Sequence, residues 1–213
     1  MKISGVIFDA FGTLIDVKKR TNPFLQLLKH GRRQGRKYRS GDTQIIMTQD
    51  LDLTEAALSL EIRIGYLGLQ HLERLLEEEL NSMTLFPDAL EAIDMLRQAG
   101  IRIAVCSNLA SVYGPPVQQL LPGLDAFGFS YQIGATKPSP IMYMETCKLL
   151  GVAPGELLTT GERVLMIGDS RPFDRDGARA NGISGFWINR RDGGDFSNLV
   201  DFAEMVVANV NAP

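Results

Sequence analysis

From Pro87 onward the sequence alternates short apolar runs with helical stretches, and that alternation restricts the possible folds more than any other feature of the chain. The order reads helix Asp88 to Ala99, strand Ile101 to Cys106, helix Pro115 to Leu121 and a weaker strand Phe127 to Tyr131. It continues with helix Pro140 to Leu150, strand Val164 to Gly168, helix Phe173 to Asn181, strand Ser184 to Ile188 and a terminal helical stretch Ser197 to Val207. Strand, helix and strand in this rhythm form βαβ units, which build a parallel sheet with helices on its faces. Gly100, Gly151 and Gly182 each follow a helix, where a left-handed residue closes the last turn. One more strand, Ile3 to Asp9, stands apart at the N-terminus. Its β-formers Ile3, Val6, Ile7 and Phe8 end at the glycine-containing turn Phe11-Gly12-Thr13.

Between that strand and Pro87 the β signal gives way to helical spacing. Thr54 to Ile64 and Tyr66 to Asn81 read as helices, the second with a stripe of Leu67, Leu72, Leu75, Leu76 and Leu80. Thr54 serves as an N-cap, although Ala57 does not complete a capping box. The expected architecture is α/β: a doubly wound, Rossmann-like parallel sheet formed by residues 1–16 and 85–213, interrupted by a helical cap of residues 17–84.

Composition narrows the class of protein. With 213 residues, 45% of them apolar, the chain can bury a substantial core. No run approaches the roughly 20 apolar residues of a membrane helix, and the first residues lack the pattern of a signal peptide, so no membrane partner and a cytoplasmic location are expected. Cys106 and Cys147 lack metal-ligand spacing and read as small core residues. A net charge of -3 carries no signal for nucleic acid. Lys29, Arg32, Arg33, Arg36, Lys37 and Arg39 crowd together without an acidic neighbour. They read as a solvated face or, functionally, as an electropositive surface in which the four arginines grip an anionic substrate.

Ligands of open parallel sheets bind beyond the carboxyl ends of the strands, so polar residues at strand ends carry the most weight. Asp9 follows the first strand, Ser107 and Asn108 follow Cys106, Lys137 lies shortly after the Phe127 strand, and Asp169 with Asp174 follows Gly168. Singly, each reads as a turn former or helix cap. In this order they resemble the four motifs of the haloacid dehalogenase-like (HAD) superfamily: Asp9-Ala10-Phe11-Gly12-Thr13-Leu14, Ser107-Asn108, Lys137-Pro138, and Gly168-Asp169-Ser170 with Asp174, Gly177 and Ala178. The resemblance spans the chain, and the helical insertion is similar to the family's C1-type cap.

The resemblance implies an Asp9 nucleophile that forms an aspartyl-phosphate from a small phosphorylated or otherwise anionic metabolite. It also implies Mg²⁺ held by the Asp9 carboxylate, the backbone carbonyl of Phe11 and the Asp169 carboxylate, with Asp174 behind them. Ser107, Asn108 and Lys137 would bind the phosphoryl group. The chemistry is coherent, because two anions must be neutralised before they meet and hard oxygen donors suit Mg²⁺.

One position departs from the pattern. Phosphatases of the family carry a second Asp two residues after the nucleophile as general acid and base, and here that residue is Phe11. Losing such a group costs about 10²- to 10⁴-fold. An aromatic residue at this position also resembles the family's 2-haloacid dehalogenases, which need no metal and typically have Ser at the position of Asp169. Metal-dependent phosphate chemistry is the leading expectation, because Asp169 facing Asp9 calls for a cation. A dehalogenase, or a binding or regulatory protein that has lost turnover, are the alternatives. Tyr143, six residues after Lys137, reads as a helix residue on the core or as a counterpart of a dehalogenase tyrosine.

Overall fold

A computed structural model of the chain describes residues 2–153 and 162–210. Five parallel strands form the central sheet: β1 (Lys2–Phe8), β4 (Arg102–Ser107), β5 (Ala126–Phe129), β6 (Glu162–Gly168) and β7 (Ser184–Trp187), in the order β5-β4-β1-β6-β7. The remaining strands, β2 (Ile15–Val17) and β3 (Met83–Leu85), pair antiparallel as a separate ribbon. The helices are α1 (Pro23–Arg33), α2 (Asp42–Thr48), α3 (Leu53–Ser59), α4 (Tyr66–Asn81), α5 (Ala89–Gln98), α6 (Gly114–Leu120), α7 (Ser130–Ile133), α8 (Pro140–Leu150), α9 (Gly177–Arg179) and α10 (Leu199–Val210).

The strands are buried on both faces, and their period of two sorts side chains between two apolar layers. Val6 and Phe8 of β1, Ile103 and Val105 of β4, and Leu165 and Ile167 of β6 point to the layer shared with α5, α6 and α10. Ile7, Ala104, Cys106, Val164 and Met166 point to the opposite layer, shared with α8 and α9. Both cysteines are buried and unpaired, Cys147 lying on α8 in this second layer. The chain enters at the central strand, builds outward through β4 and β5, and then returns to the other side of β1 through β6 and β7. The reversal opens a crevice at the carboxyl end of β1.

The expected strands and core helices appear with shifts of a few residues, and Gly100, Gly151 and Gly182 hold positive φ at helix ends. Other expectations are corrected. The ribbon of β2 and β3 falls where the sequence predicts no strand, since strands of three residues are too short to show a period. The Phe127 strand ends at Phe129 rather than Tyr131. There Ser130 Oγ exchanges hydrogen bonds with both backbone groups of Leu109, at 3.0 and 3.2 Å, and turns the chain into α7. Helix α3 starts from Asp52, not Thr54. The Asp52 carboxylate accepts from Glu55 N at 2.8 Å and Glu55 returns the bond to Asp52 N at 2.9 Å, so the N-cap lies two residues earlier than expected and carries the capping box that Thr54 lacks. The same helix ends at Ser59, and Glu61 adopts φ 56°. Along α4, Leu72 is buried and Leu75 and Leu76 pack beside it, but Leu67 is exposed and Leu69 takes its place on the inner face.

Helices α1 to α4 surround an apolar cluster of their own that includes Leu27, Ile46, Leu53, Ala56 and Leu60. Two members of the basic run, Arg36 and Arg39, are spent on this unit's own structure. Arg36 forms two bonds to the buried Asp42 carboxylate, at 2.6 and 2.7 Å, and donates to Leu60 O, while Arg39 reaches Glu61 at 3.2 Å on the surface.

Arg190 ties Asp88, just ahead of α5, to the loop after β1. Its guanidinium makes two bonds to Asp88, at 2.9 and 3.0 Å, donates to Thr13 O at 2.7 Å and lies 3.8 Å over the Phe86 ring. Asp88 also accepts from Leu199 N at 2.8 Å. Burial pushes the Asp88 carboxyl up, but the Arg190 hydrogen bonds outweigh it and hold the carboxyl below its ordinary value. Arg190→Met is therefore expected to cost about 2–4 kcal/mol in urea unfolding, because it strands a largely buried carboxylate. Arg190→Lys should recover little, since an ammonium cannot reproduce the fork. A loss below about 0.5 kcal/mol would show that the clamp is dispensable.

Candidate active site

Asp9, Ser107 and Asp169 stand at the carboxyl ends of the adjacent strands β1, β4 and β6, and the crevice draws them together. Asp9 is buried, and its Oδ1 accepts from Lys137 Nζ at 2.7 Å. The same ammonium donates to Asp174 Oδ1 at 2.7 Å and to Cys106 O at 2.8 Å, so all three of its protons are engaged. Burial works against a charged Lys137, but the carboxylates of Asp174 and Asp9 outweigh it and raise its pKa well above the usual lysine value. The backbone of Lys137 is pinned by Asn108, whose amide accepts from Lys137 N at 2.7 Å and donates to Lys137 O at 3.0 Å. Asn108 thus lines the pocket while its side chain positions the lysine.

Asp9, Asp169 and Asp174 bring carboxylate oxygens within 4.8 Å of one another. Two glycines make this possible. Gly12 has φ 82°, and a Cβ there would lie 2.1 Å from Asp169 Oδ2. At Gly168 a Cβ would fall 2.2 Å from Asp174 Oδ2. The Asp169 backbone is held by Thr13 Oγ1, which accepts from Asp169 N at 3.0 Å, and by the Trp187 indole, which donates to Asp169 O at 2.9 Å. Among the described residues no donor reaches the Asp169 carboxylate itself.

Asp174 was expected near the start of an ordinary helix from Phe173 to Asn181. Instead Arg171–Asp176 forms a wide π turn that leads into the short α9. The turn carries the Asp174 side chain inward, where Oδ2 accepts from Ser170 N at 2.9 Å and Oδ1 meets Lys137. Both of its oxygens are occupied. Tyr143 is buried, and its hydroxyl donates to Phe173 O at 2.5 Å, bracing the same turn rather than facing the crevice.

Burial raises the Asp9 carboxyl to about 7; Lys137 opposes the shift, while Asp174 and Asp169 add to it. Asp169 is raised as well, by burial first and then by Asp174, with Lys137 and Arg20 acting against it. A cluster of acids short of positive charge, with Asp9 and Asp174 buried and Asp169 on its open side, has these properties.

A model of the family "haloacid dehalogenase-like hydrolase" matches residues 3–182, most of the chain and every residue of this crevice. The chain belongs to the haloacid dehalogenase-like hydrolase family. Among curated relatives, (S)-2-haloacid dehalogenase 4A of Burkholderia cepacia is 27% identical over 192 residues, covering 82% of this chain and 81% of the relative. Among solved structures, a HAD phosphatase from Thermococcus onnurineus superposes with a TM-score of 0.64 at 23% identity, covering 96% of this chain and 98% of that one. The L-2-haloacid dehalogenase of Xanthobacter autotrophicus gives a TM-score of 0.61 at 21% identity, covering 96% and 98%. At these identities the structural likenesses speak to the fold.

Within the HAD frame, the crevice divides in two. One pocket of about 460 Å³ contains Asp9, Ser107, Lys137, Asp169 and Asp174. A second, of about 350 Å³, lies against α1 and α2, and Phe11, Thr43, Met47 and Asn108 line both. Phe11 stands at the junction, its ring edge-on to Tyr113 with centroids 5.8 Å apart. The two pockets correct the sequence expectation about substrate grip, because none of Arg32, Arg33, Arg36 or Arg39 lines either one. Arg20 lines the second pocket instead. Sequence reasoning also missed Thr13, Tyr113 and Glu79. Glu79 is buried on α4 and accepts from Thr21 N at 2.6 Å and Tyr113 Oη at 3.0 Å, which ties the inserted helices to the sheet domain. Only Thr13 carried a sequence signal, since it adjoins Gly12 in the first motif. No helix among the described residues is long and apolar enough to cross a membrane.

Proposed function

We propose that this HAD-like hydrolase is a metal-dependent phosphohydrolase in which Asp9 takes the phosphoryl group of a small anionic substrate. One observation carries the reading: three carboxylates converge within 4.8 Å, and the single ammonium of Lys137 cannot balance them. Like charges at about 4 Å repel strongly in a site of reduced dielectric, so the cluster calls for a divalent cation. The donors are all oxygen, which suits Mg²⁺. Asp9, Asp169 and the Phe11 backbone carbonyl would hold the ion, with Asp174 supporting the arrangement through Lys137 and Ser170. When bound, the ion neutralises the approach of two anions and the charge that develops on the phosphoryl oxygens.

The chain's own groups supply the remaining steps. Asp9 attacks phosphorus with a carboxylate oxygen. Ser107, buried at the end of β4, donates to a phosphoryl oxygen from a hydroxyl that has no partner among the described residues. Lys137 stays cationic beside Asp9 and offsets the negative charge of the transition state. The inserted helices act as a cap that excludes water, and Asn108 and Thr13 keep Lys137 and Asp169 in register. Phe11 supplies no proton, so the enzyme depends on leaving groups that depart as anions, and breakdown of the aspartyl-phosphate is slow.

With Mg²⁺, acyl and aryl phosphates are expected to turn over, and a chelator should reduce the rate by more than about 10²-fold. Phe11→Asp should raise turnover of simple alkyl phosphates by about 10²-fold, because a carboxyl at this point can protonate an alkoxide. An unchanged rate in a folded variant would remove the account of Phe11 given above. The second reading, a metal-independent 2-haloacid dehalogenase, is favoured by the aromatic ring at position 11 and by the activity named for the Burkholderia relative. Halide release from 2-chloropropionate that resists the chelator would establish it in place of phosphate chemistry.

A further inference from the structure

The second pocket has a chemistry of its own. Its volume of about 350 Å³ lies near the lower end of the ~300–1,000 Å³ that small-molecule sites span. Val17, Phe24, Leu28, Ile46 and Phe11 make its walls predominantly apolar. Glu79 also reaches it, but that carboxylate is already taken by Thr21, Asn22 and Tyr113. Arg20 differs. It is exposed at the rim, and no acidic partner lies within ion-pair distance among the described residues.

A sugar phosphate seated at Asp9 would set most of its hydroxyls against these apolar walls, where Glu79, Asn108 and Tyr113 already have partners and Asn22 and Thr43 are the polar side chains left to meet them, which is unfavourable. A flat apolar group would fill the same space and contact the Phe11 ring at the junction. An aryl oxygen also leaves as a stabilised anion, which is what a site with phenylalanine in place of an acid requires. These observations converge on one class of substrate.

We infer that the enzyme acts on aryl phosphates, the ring occupying the chamber between Phe11 and α1 and an anionic ring substituent meeting Arg20 at the rim. The inference rests on the phosphohydrolase reading. In the step it describes, an Asp9 oxygen bonds to phosphorus and the bond from phosphorus to the aryl oxygen breaks. The electron pair leaves with the aryl oxygen, which then takes a proton from water. A second water releases inorganic phosphate and restores the Asp9 carboxylate.

Binding and turnover separate the inference from the reading beneath it. In calorimetry with Mg²⁺, phenylphosphonate should bind at least ~10-fold more tightly than methylphosphonate. Leu25→Trp, a change at a half-exposed residue that fills the chamber from α1, should shrink that ratio. A 3-carboxyphenyl phosphate should have a higher kcat/KM than phenyl phosphate, and Arg20→Gln should erase the difference. Equal affinity for the two phosphonates would overturn the chamber assignment, and a carboxyl preference that is absent, or that survives in Arg20→Gln, would overturn the role of Arg20. Acetyl phosphate, which has a good leaving group but no ring, tests the reading alone. Its Mg²⁺-dependent hydrolysis alongside equal phosphonate affinities would defeat only the inference, and its inertness alongside inert aryl phosphates would defeat both.

Discussion

Replacing Asp9 by Asn is expected to abolish turnover, by at least about 10⁴-fold, and at the same time to make the metal-free protein more stable above neutral pH. The loss of activity follows from removing the nucleophile. The gain follows from linkage. Burial, Asp174 and Asp169 raise the Asp9 carboxyl from 3.8 to about 7 despite Lys137, so the folded chain holds this proton more tightly than the unfolded chain does. Stability of the metal-free protein therefore falls as pH rises from about 4 through about 7, and the penalty is complete above that range. Asparagine has the same shape and no proton to lose. The two proteins should melt at similar temperatures near pH 4, and the variant should melt roughly 5–10 °C higher at pH 8. Saturating Mg²⁺ should narrow the gap by stabilising only the wild type. Identical melting curves at pH 8 in a chelator would contradict the electrostatic picture of the site.

Lys137→Met carries the opposite expectation. Its Nζ lies 2.7 Å from both Asp9 and Asp174, and the side chain is almost fully buried. Without the ammonium, two buried carboxylates lose their counter-charge, which typically costs 3–5 kcal/mol. At neutral pH, unfolding in urea should shift by about that amount, and turnover should vanish with it. Near pH 5 part of the stability should return, because Asp9, whose carboxyl burial already raises to about 7, can then protonate in the folded state. Lys137→Arg is not expected to rescue activity, since the larger fork cannot reach Asp9, Asp174 and Cys106 O from one point. A Lys137→Met protein as stable as the wild type at every pH would show that the cluster is wet enough to need no counter-ion.

The parallel sheet was legible in the sequence because its cause is local. A strand buried on both faces must be a short apolar run, and Gly100, Gly151 and Gly182 after three of the crossover helices mark where the run begins again. The acidic and basic residues of the crevice were legible for a related reason: Asp9, Ser107 and Asp169 lie at or just beyond strand ends, Lys137 follows β5 after the short α7, and a parallel sheet delivers its strand ends to one edge. Even so, the wide turn at Arg171–Asp176 was hidden, because a π turn and an α-helix share the same residue types and differ in which carbonyl each N–H finds.

What the sequence determined by itself is the sheet and the order of chemical groups along its carboxyl edge, since both follow from periodicity along the chain. Only the tertiary structure decided which arginine lines the chamber beside the crevice. Arg36 and Arg39 turned out to be occupied by Asp42 and Glu61, while Arg20, unremarkable in the sequence, lines the chamber. The helices after β2 orient themselves by burying Leu27, Ile46 and Leu60 against one another. The direction of every exposed side chain on them follows from that contact between distant residues, and no local pattern records it.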